Sequence, residues 1–329
     1  MTQTQMHATV ARQAGGPEVL DYTQAEVPRP GPGRVLVRVA AAGVNFIDTY
    51  QRSGVYPRAF PAILGGEGAG TVEALGEGVS DLAVGDRVAW ADGNSGSYAE
   101  FDVVAADRLV PVPEHIELET AAAAMLQGMT AHYLVNSTFP LKAGESALVQ
   151  AAAGGMGQLL TQLAKAKGAR VIGTTSSAEK ERVARAAGAD EVIRYTEVDD
   201  LAAEVRALTG GVGVDVVYDG VGASTFDASL GSLRKRGLLA LYGGASGQVP
   251  PFDLQRLNRG GSLFVTRPTL AHYIETREEL LWRSGEILSA VAAGELAVNV
   301  GARFPLSEAA AAHTALTGRA TTGKVLLLP

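Results

Sequence analysis

The stretch Gln150-Ala151-Ala152-Ala153-Gly154-Gly155-Met156-Gly157 decides the fold. It follows an apolar run, Ala147-Leu148-Val149. It opens a segment with Leu159, Leu160, Leu163 and Ala164 on one helical face, stopped by Gly168. Small residues at such a strand-to-helix turn permit a tight bend, close backbone approach to a pyrophosphate, and close packing of helix on strand. Ala152 stands where the dinucleotide fingerprint has its first glycine, and Gly154 and Gly157 match the second and third. The helix N-terminus beyond them offers unpaired N–H groups and the positive end of a dipole to an anion. The turn in this setting predicts a dinucleotide site; a glycine cluster alone would also serve a plain tight turn.

Outward from that turn, five more apolar runs read as strands: Val171-Ile172-Gly173, Val192-Ile193, Val214-Asp215-Val216-Val217, Leu238-Leu239-Ala240-Leu241 and Leu263-Phe264-Val265. Helical stretches separate them, such as Glu179 to Ala187 before Gly188. Strands spaced by helices require crossovers, hence an α/β fold with a doubly wound parallel six-stranded sheet. The second strand ends Gly173-Thr174-Thr175-Ser176-Ser177, with hydroxyls where an NAD site usually carries Asp or Glu. A carboxylate there would repel a 2′-phosphate, whereas Ser176, Ser177 and Lys180 can bind one. The segment therefore favours NADPH over NADH. Ser176-x-x-Glu179 also fits a capping box, and both uses share one helix N-terminus.

Residues 1–125 have a different texture, mostly β. Arg34-Val35-Leu36-Val37-Arg38-Val39 nearly alternates, and Gly15-Gly16-Pro17, Pro30-Gly31-Pro32-Gly33 and Gly85-Asp86 are turn signals. This is the pattern of a small barrel or sandwich. Beyond Thr266, helices around 278–293 and 308–316 and a strand at 325–328 are too few for a domain, and are expected to return to the N-terminal β domain. Val44 to Gly54 gathers amide, carboxylate, phenol and guanidinium groups. That is either a polar surface turn with a short helix or part of a site.

Of 329 residues, 47% are apolar and 19% charged, which suits two folded domains rather than disorder. Lys and Arg number 28 against 35 Asp and Glu, a net charge of −7 that weighs against nucleic acid as a partner. The absence of cysteine removes disulfides, thiol catalysis and Cys-ligated metals. His7, His115, His132, His272 and His313 show no paired ligand spacing, so no metal is expected. MTQTQMHATV lacks a basic region followed by an apolar core, and no apolar run approaches the roughly 20 residues of a membrane span. The expectation is a cytoplasmic protein with no membrane partner.

Several segments together carry a resemblance: Asn45-Phe46-Ile47-Asp48-Thr49-Tyr50, Gly65-Gly66-Glu67-Gly68-Ala69-Gly70, Gly85-Asp86-Arg87-Val88, the Ala151–Gly157 turn, and Val265-Thr266-Arg267-Pro268. They resemble the zeta-crystallin-type quinone oxidoreductases, in the zinc-free branch of the medium-chain dehydrogenase/reductase superfamily. The resemblance extends to the terminal Lys324-Val325-Leu326-Leu327-Leu328. It implies a GroES-like β-barrel catalytic domain from 1–125 and 267–329, a Rossmann dinucleotide-binding domain over 126–266, and NADPH-dependent reduction of a small-molecule quinone. Gly66 stands where the zinc-dependent relatives place a histidine ligand.

Without a metal or a thiol the cofactor carries the hard step, and the roles left to Asn45 and Tyr50 are to orient the nicotinamide or hydrogen-bond a quinone oxygen, with Asp48 and Arg52 as a structural pair. By the resemblance, cofactor contacts are implied at Asn45 and Tyr133, and at Ala153, Gly154, Gly155, Met156 and Gly157 in the turn. Others are implied at Thr174, Ser176 and Lys180, at Gly220, Tyr242 and Gly243, and at Phe264, Val265 and Thr266. Tyr195 would cover a ribose or phosphate, or else pack; Arg319 would reach a phosphate, or else remain a surface cation. The chain departs from its relatives at Gln127, where lysine is frequent, and at Gly244, where asparagine is frequent. A homodimer joined through the Rossmann domains along Leu263-Phe264-Val265 is also implied, the alternative being a monomer whose C-terminal tail covers that edge. Two rival readings are reduction of the C=C bond of enones or alkenals and, in a different class, an NADPH-binding structural or RNA-binding protein.

Overall fold

A computed structural model describes residues 4–91 and 95–329, and the chain separates into two units at Gln127/Gly128 and at Tyr273/Ile274. The N-terminal part supplies strands β1 (Gln5–Ala11), β2 (Leu20–Glu26) and β3 (Arg34–Val44) and helix α1 (Phe46–Arg52). Then come β4 (Ala62–Ile63), β5 (Glu67–Leu75), β6 (Arg87–Ala91), β7 (Phe101–Ala105), β8 (Val110–Pro111) and α2 (Leu118–Tyr133). The middle supplies β9 (Ser146–Val149), α3 (Gly155–Ala166), β10 (Arg170–Thr175), α4 (Ala178–Ala186), β11 (Glu191–Arg194) and α5 (Leu201–Leu208). It continues with β12 (Val214–Asp219), α6 (Phe226–Gly231), β13 (Leu233–Leu241), α7 (Gln255–Arg259) and β14 (Phe264–Thr266). The tail adds α8 (Arg277–Ala292), β15 (Val300–Pro305), α9 (Ala309–Thr317) and β16 (Lys324–Leu328).

In the first unit, β15, β16, β3, β5, β6 and β8 lie side by side in that order, with β7 also on β3, and β2-β1-β4 form a smaller sheet. The imperfect alternation of β3 has a physical cause. Val35, Val37 and Val39 belong to the cluster around Leu64, Trp90, Tyr98 and Leu109. Leu36 points the other way, into a second cluster with Met6, Ala99 and Phe101. A strand covered on both faces gains from apolar residues at consecutive positions. β16 runs antiparallel to β3, pairing Val325 with Val44 and Leu327 with Ala42. That register sets Lys324 next to the start of α1.

The second unit holds the doubly wound parallel sheet, ordered β11-β10-β9-β12-β13-β14. The order reverses between β9 and β12, and in such sheets ligands bind beyond the carboxyl ends of the strands at that reversal. Leu148, Ile172, Ile193, Val217 and Leu239, one from each of five strands, share its core with Val205, Phe226 and Leu230. Each such side chain stabilises the fold by about 1.5–3 kcal/mol through burial. β13 starts five residues before its apolar run, because the exposed Lys235 and Arg236 mask the pattern. The irregularity has a backbone counterpart in Arg236, at φ 60. Tyr273 closes this unit by stacking on Tyr133, with ring centroids 4.1 Å apart and 3° between planes.

Candidate active site

Between β9 and α3 the backbone bends tightly. A Cβ on Gly157 would lie 2.4 Å from the Ala151 carbonyl oxygen, and one on Gly173 would lie 2.7 Å from the Ala152 Cβ. Helix and strand meet here at glycine distance, so no larger residue fits either place. Ala151 occupies the left-handed region at φ 53, unusual for a residue with a side chain. Gly154 is the N-cap of α3 and supplies no side chain to its first turn. The amide end of the helix is thus left for an external anion, and the turn fits a dinucleotide pyrophosphate. Ala153 and Met156 complete the turn, and the Ala153 carbonyl accepts from Gln158 Nε2 at 2.8 Å.

The end of β10 carries no carboxylate. Thr174 is buried there, its hydroxyl donating to Gln150 Oε1 at 2.6 Å and accepting the Ala151 N–H at 3.2 Å. The N-cap of α4 is Ser177, whose Oγ accepts the Lys180 N–H at 3.3 Å. This corrects the box expected at Ser176: the helix starts one residue later, so Ser176 is not spent on capping. Tyr195 donates its N–H to the Thr175 carbonyl at 3.0 Å and is 39% exposed. Ser176, Lys180 and Tyr195 therefore gather at one end of β10 and β11. After β12 and β13 the chain is again at glycine distance. A Cβ on Gly220 would lie 2.8 Å from the Tyr242 ring, and one on Gly243 would lie 2.3 Å from the Gly220 oxygen. Phe264, Val265 and Thr266 form the edge strand β14. Tyr133 is buried in its stack with Tyr273. Arg319 lies exposed in the loop before β16, at φ 57.

The first unit builds its polar centre around α1. Asn45 caps the helix, and its N–H donates to Asp48 Oδ2 at 2.8 Å. Asn45 is only 3% exposed. Its Oδ1 accepts from Lys324 Nζ at 2.6 Å and from Gln127 Nε2 at 3.4 Å, while Nδ2 donates to Glu67 Oε2 at 2.7 Å. Glu67 and Lys324 form a fully buried ion pair, and Glu67 Oε1 also accepts the Leu126 N–H at 2.6 Å. Gly43 is required beside them, since a Cβ there would sit 2.1 Å from Glu67 Oε2. Burying two charges is tolerable only when their remaining hydrogen-bonding capacity is met, and here Asn45 meets it.

Asp48 and Arg52 do not touch directly, contrary to the pairing expected from sequence. Arg52 Nη1 lies 2.9 Å from His313 Nδ1, His313 Nε2 lies 3.0 Å from the Tyr98 hydroxyl, and that hydroxyl lies 2.9 Å from Asp48 Oδ2. Arginine can only donate, so His313 Nδ1 accepts, Nε2 carries the proton, and Tyr98 donates to the carboxylate. Two rings from the barrel and α9 thus stand between the members of the expected pair. Burial pushes Asp48 up to about 6, against the lowering effect of its hydrogen bonds from Asn45 and Tyr98. Burial and the Arg52 charge push His313 down to about 3, which keeps it neutral. On the outer side of α1, Tyr50 is half-buried, with its ring 5.3 Å from Tyr56 and 6.3 Å from Phe46. Sequence reading missed Glu67, Tyr98, His313, Lys324 and Tyr56. Only Glu67 and Lys324 had a local signal, as charges embedded in small or apolar runs.

Comparison with known proteins agrees with this geometry. The family described as "Alcohol dehydrogenase GroES-like domain" matches residues 31–114, and "Zinc-binding dehydrogenase" matches 155–279. A quinone oxidoreductase of Pseudomonas aeruginosa is 48% identical over 96% of this chain and 97% of its own length. The chain belongs to the quinone oxidoreductase family, in the zinc-free branch of the medium-chain dehydrogenases/reductases. The Escherichia coli quinone oxidoreductase, solved in complex with NADPH, superposes with a TM-score of 0.96 at 43% identity, covering 98% of this chain and all of that one. A 2-haloacrylate reductase of Burkholderia sp is 44% identical over 98% of each chain. The family description mentions zinc, but this chain has no cysteine. Among the described residues no group of three or more His, Cys, Asp or Glu is placed to hold a metal ion. Gln127, the departure from relatives, joins the Asn45 cluster, and Gly244 lies against Gly222, whose Cβ would approach its Cα to 2.9 Å.

Proposed function

We propose that this chain reduces quinones with NADPH and without a metal ion. The observation that carries the reading is the carboxylate-free end of β10, lined by Ser176, Lys180 and Tyr195 beside the glycine turn, in a chain of this family. When bound, NADPH supplies the hydride. The α3 amide end and the backbone of Ala153, Gly154, Gly155, Met156 and Gly157 receive the pyrophosphate, while Ser176 and Lys180 hold the 2′-phosphate and Tyr195 covers the ribose. Gly220, Tyr242, Gly243 and the strand Phe264-Val265-Thr266 line the carboxyl ends of the sheet for the rest of the cofactor, with Tyr133 and Arg319 as further contacts.

A quinone is already a good hydride acceptor, so the protein must chiefly orient it and exclude water. Tyr50 is the α1 hydroxyl we assign to a quinone oxygen. Asn45 has its amide committed to Lys324 and Glu67, so it serves by fixing the start of the helix that carries Tyr50. The test is NADPH oxidation against a panel of quinones and enones, with oxygen consumption followed alongside. Quinone turnover that drops on Tyr50→Phe supports the reading; no oxidation with any quinone overturns it.

The 2-haloacrylate reductase among the relatives favours a second reading, hydride delivery to an activated C=C bond. The same panel separates the two by which acceptor has the higher kcat/KM. We also infer a homodimer joined at β14, an edge strand on which Phe264 is 59% exposed. We infer a cytoplasmic enzyme, a reading supported by the absence, among the described residues, of any helix long and apolar enough to cross a membrane.

A further inference from the structure

The structure assigns Gln150 as the positioning residue of the dinucleotide turn, through a one-way chain of hydrogen bonds that runs from Ala151 at the surface into the core at Asp219. The links are short and continuous. The Ala151 N–H donates to Thr174 Oγ1 at 3.2 Å, and the Thr174 hydroxyl donates to Gln150 Oε1 at 2.6 Å. Gln150 Nε2 donates to Ser229 Oγ at 3.0 Å, and the Ser229 hydroxyl donates to Asp219 Oδ2 at 2.7 Å. Gln150, Thr174, Ser229 and Asp219 are all buried.

Both ends of the chain fix its direction. A backbone N–H can only donate, and a carboxylate can only accept. Asp219 is itself held in place, accepting from the N–H groups of Val221 and Gly222 at 2.8 and 3.0 Å and from the Thr225 hydroxyl at 2.7 Å. Each hydroxyl between has one proton, so only one arrangement satisfies every group, and a flipped Gln150 amide breaks two links at once. The chain thereby ties together the carboxyl ends of β9, β10 and β12, the three strands flanking the turn. Its first link holds the N–H of Ala151, the residue in the left-handed region whose carbonyl packs against Gly157. The Thr174 hydroxyl is spent inside this chain and takes no part in recognising the ribose.

This inference rests on the reading that the turn holds NADPH, and its test reads binding rather than turnover. Isothermal titration of the full chain with NADPH and with adenosine 2′-phosphate, which lacks the pyrophosphate, separates the turn from the α4 corner. Gln150→Met keeps the volume and removes both links. It is expected to raise the Kd for NADPH about tenfold, a loss on the scale of one or two buried hydrogen bonds, and to leave that for adenosine 2′-phosphate within twofold. The double variant Gln150→Met with Thr174→Val should be no weaker than the weaker single variant, because both break one chain. Ser229→Ala removes the third link from a different element and should weaken NADPH in the same selective way, so the test stands even if Gln150→Met does not fold. Unchanged NADPH affinity in both variants overturns the assignment, as does an equal loss for both ligands. A parent chain that binds no NADPH overturns the functional reading as well, which distinguishes the two failures.

Discussion

Lys324 is an ammonium almost out of reach of water, and its partners explain how the chain tolerates it. Removing one member of a buried pair leaves the other uncompensated. Lys324→Met should therefore lower unfolding stability by about 3–5 kcal/mol in urea melts. Adding Glu67→Gln should recover half or more of that loss; a double variant weaker than the single would show that the pair is not the cause. At the other unit, Lys180 is the cation of the β10 corner. Lys180→Ala should weaken NADPH by about 1.5–3 kcal/mol, the scale of a charge-assisted hydrogen bond, and leave NADH within twofold. Equal losses for both cofactors would remove Lys180 from 2′-phosphate recognition. The position of Lys180 in the first turn of α4 was legible in the sequence because it depends on local spacing from the glycine turn. Lys324 was not, since its partners Asn45 and Glu67 lie 279 and 257 positions away.

Helix α1 is short, yet buried contacts hold both of its ends. The Asn45–Asp48 box closes the N-terminus, and Arg52 near the C-terminus donates to the Gly15 carbonyl at 3.2 Å and reaches His313. This arrangement carries a pH signature with opposing contributions. Asp48 goes from an ordinary 3.8 to about 6 in the fold. Between roughly pH 4 and 6 the folded chain holds that proton and the unfolded chain does not, so its contribution to stability falls as pH rises. His313 goes from 6.5 to about 3, so over roughly pH 3 to 6.5 the unfolded chain binds the proton and the contribution rises with pH. Asp48→Asn should accordingly make the variant's stability, relative to the parent, climb by up to about 3 kcal/mol between roughly pH 4 and 6. His313→Gln should produce the opposite slope. Denaturant titrations at four or five pH values read both, and parallel curves for parent and variant would remove the assignment. The sequence places Asp48 and Arg52 one turn apart and suggests a direct pair. It has no means of showing that Tyr98 and His313, from the barrel and α9, stand between them.

Over the whole molecule, two chemical absences and one exposed edge shape what the chain does. It has no cysteine, and by the family resemblance Gly66 stands where a metal-binding histidine would be, so chelator should leave NADPH–quinone turnover intact. One tightly bound zinc per chain, found by elemental analysis, would overturn that. The edge strand β14 ends the six-stranded sheet and presents Phe264, a large exposed apolar side chain, where a second strand could add. Sedimentation equilibrium should give twice the chain mass, and Phe264→Asp should shift it toward one chain mass with the melting temperature little changed. A parent that sediments as a single chain at micromolar concentration would rule the arrangement out.

The order of strands and helices, the glycine turn and the corner with Ser176, Lys180 and Tyr195 were determined by the sequence itself. Each is a local pattern, with period 2 or 3.6, or a fixed offset from one turn, and such patterns survive without knowledge of the rest of the chain. What only the tertiary structure decided is which distant polar groups meet. β16 returns to pair with β3, and that register alone carries Lys324 to Asn45 and Glu67. α9 brings His313 to Tyr98, and α6 brings Ser229 to Gln150. These residues show no periodicity with their partners, because burial inside a closed fold, not spacing along the chain, obliges a polar group to find its match.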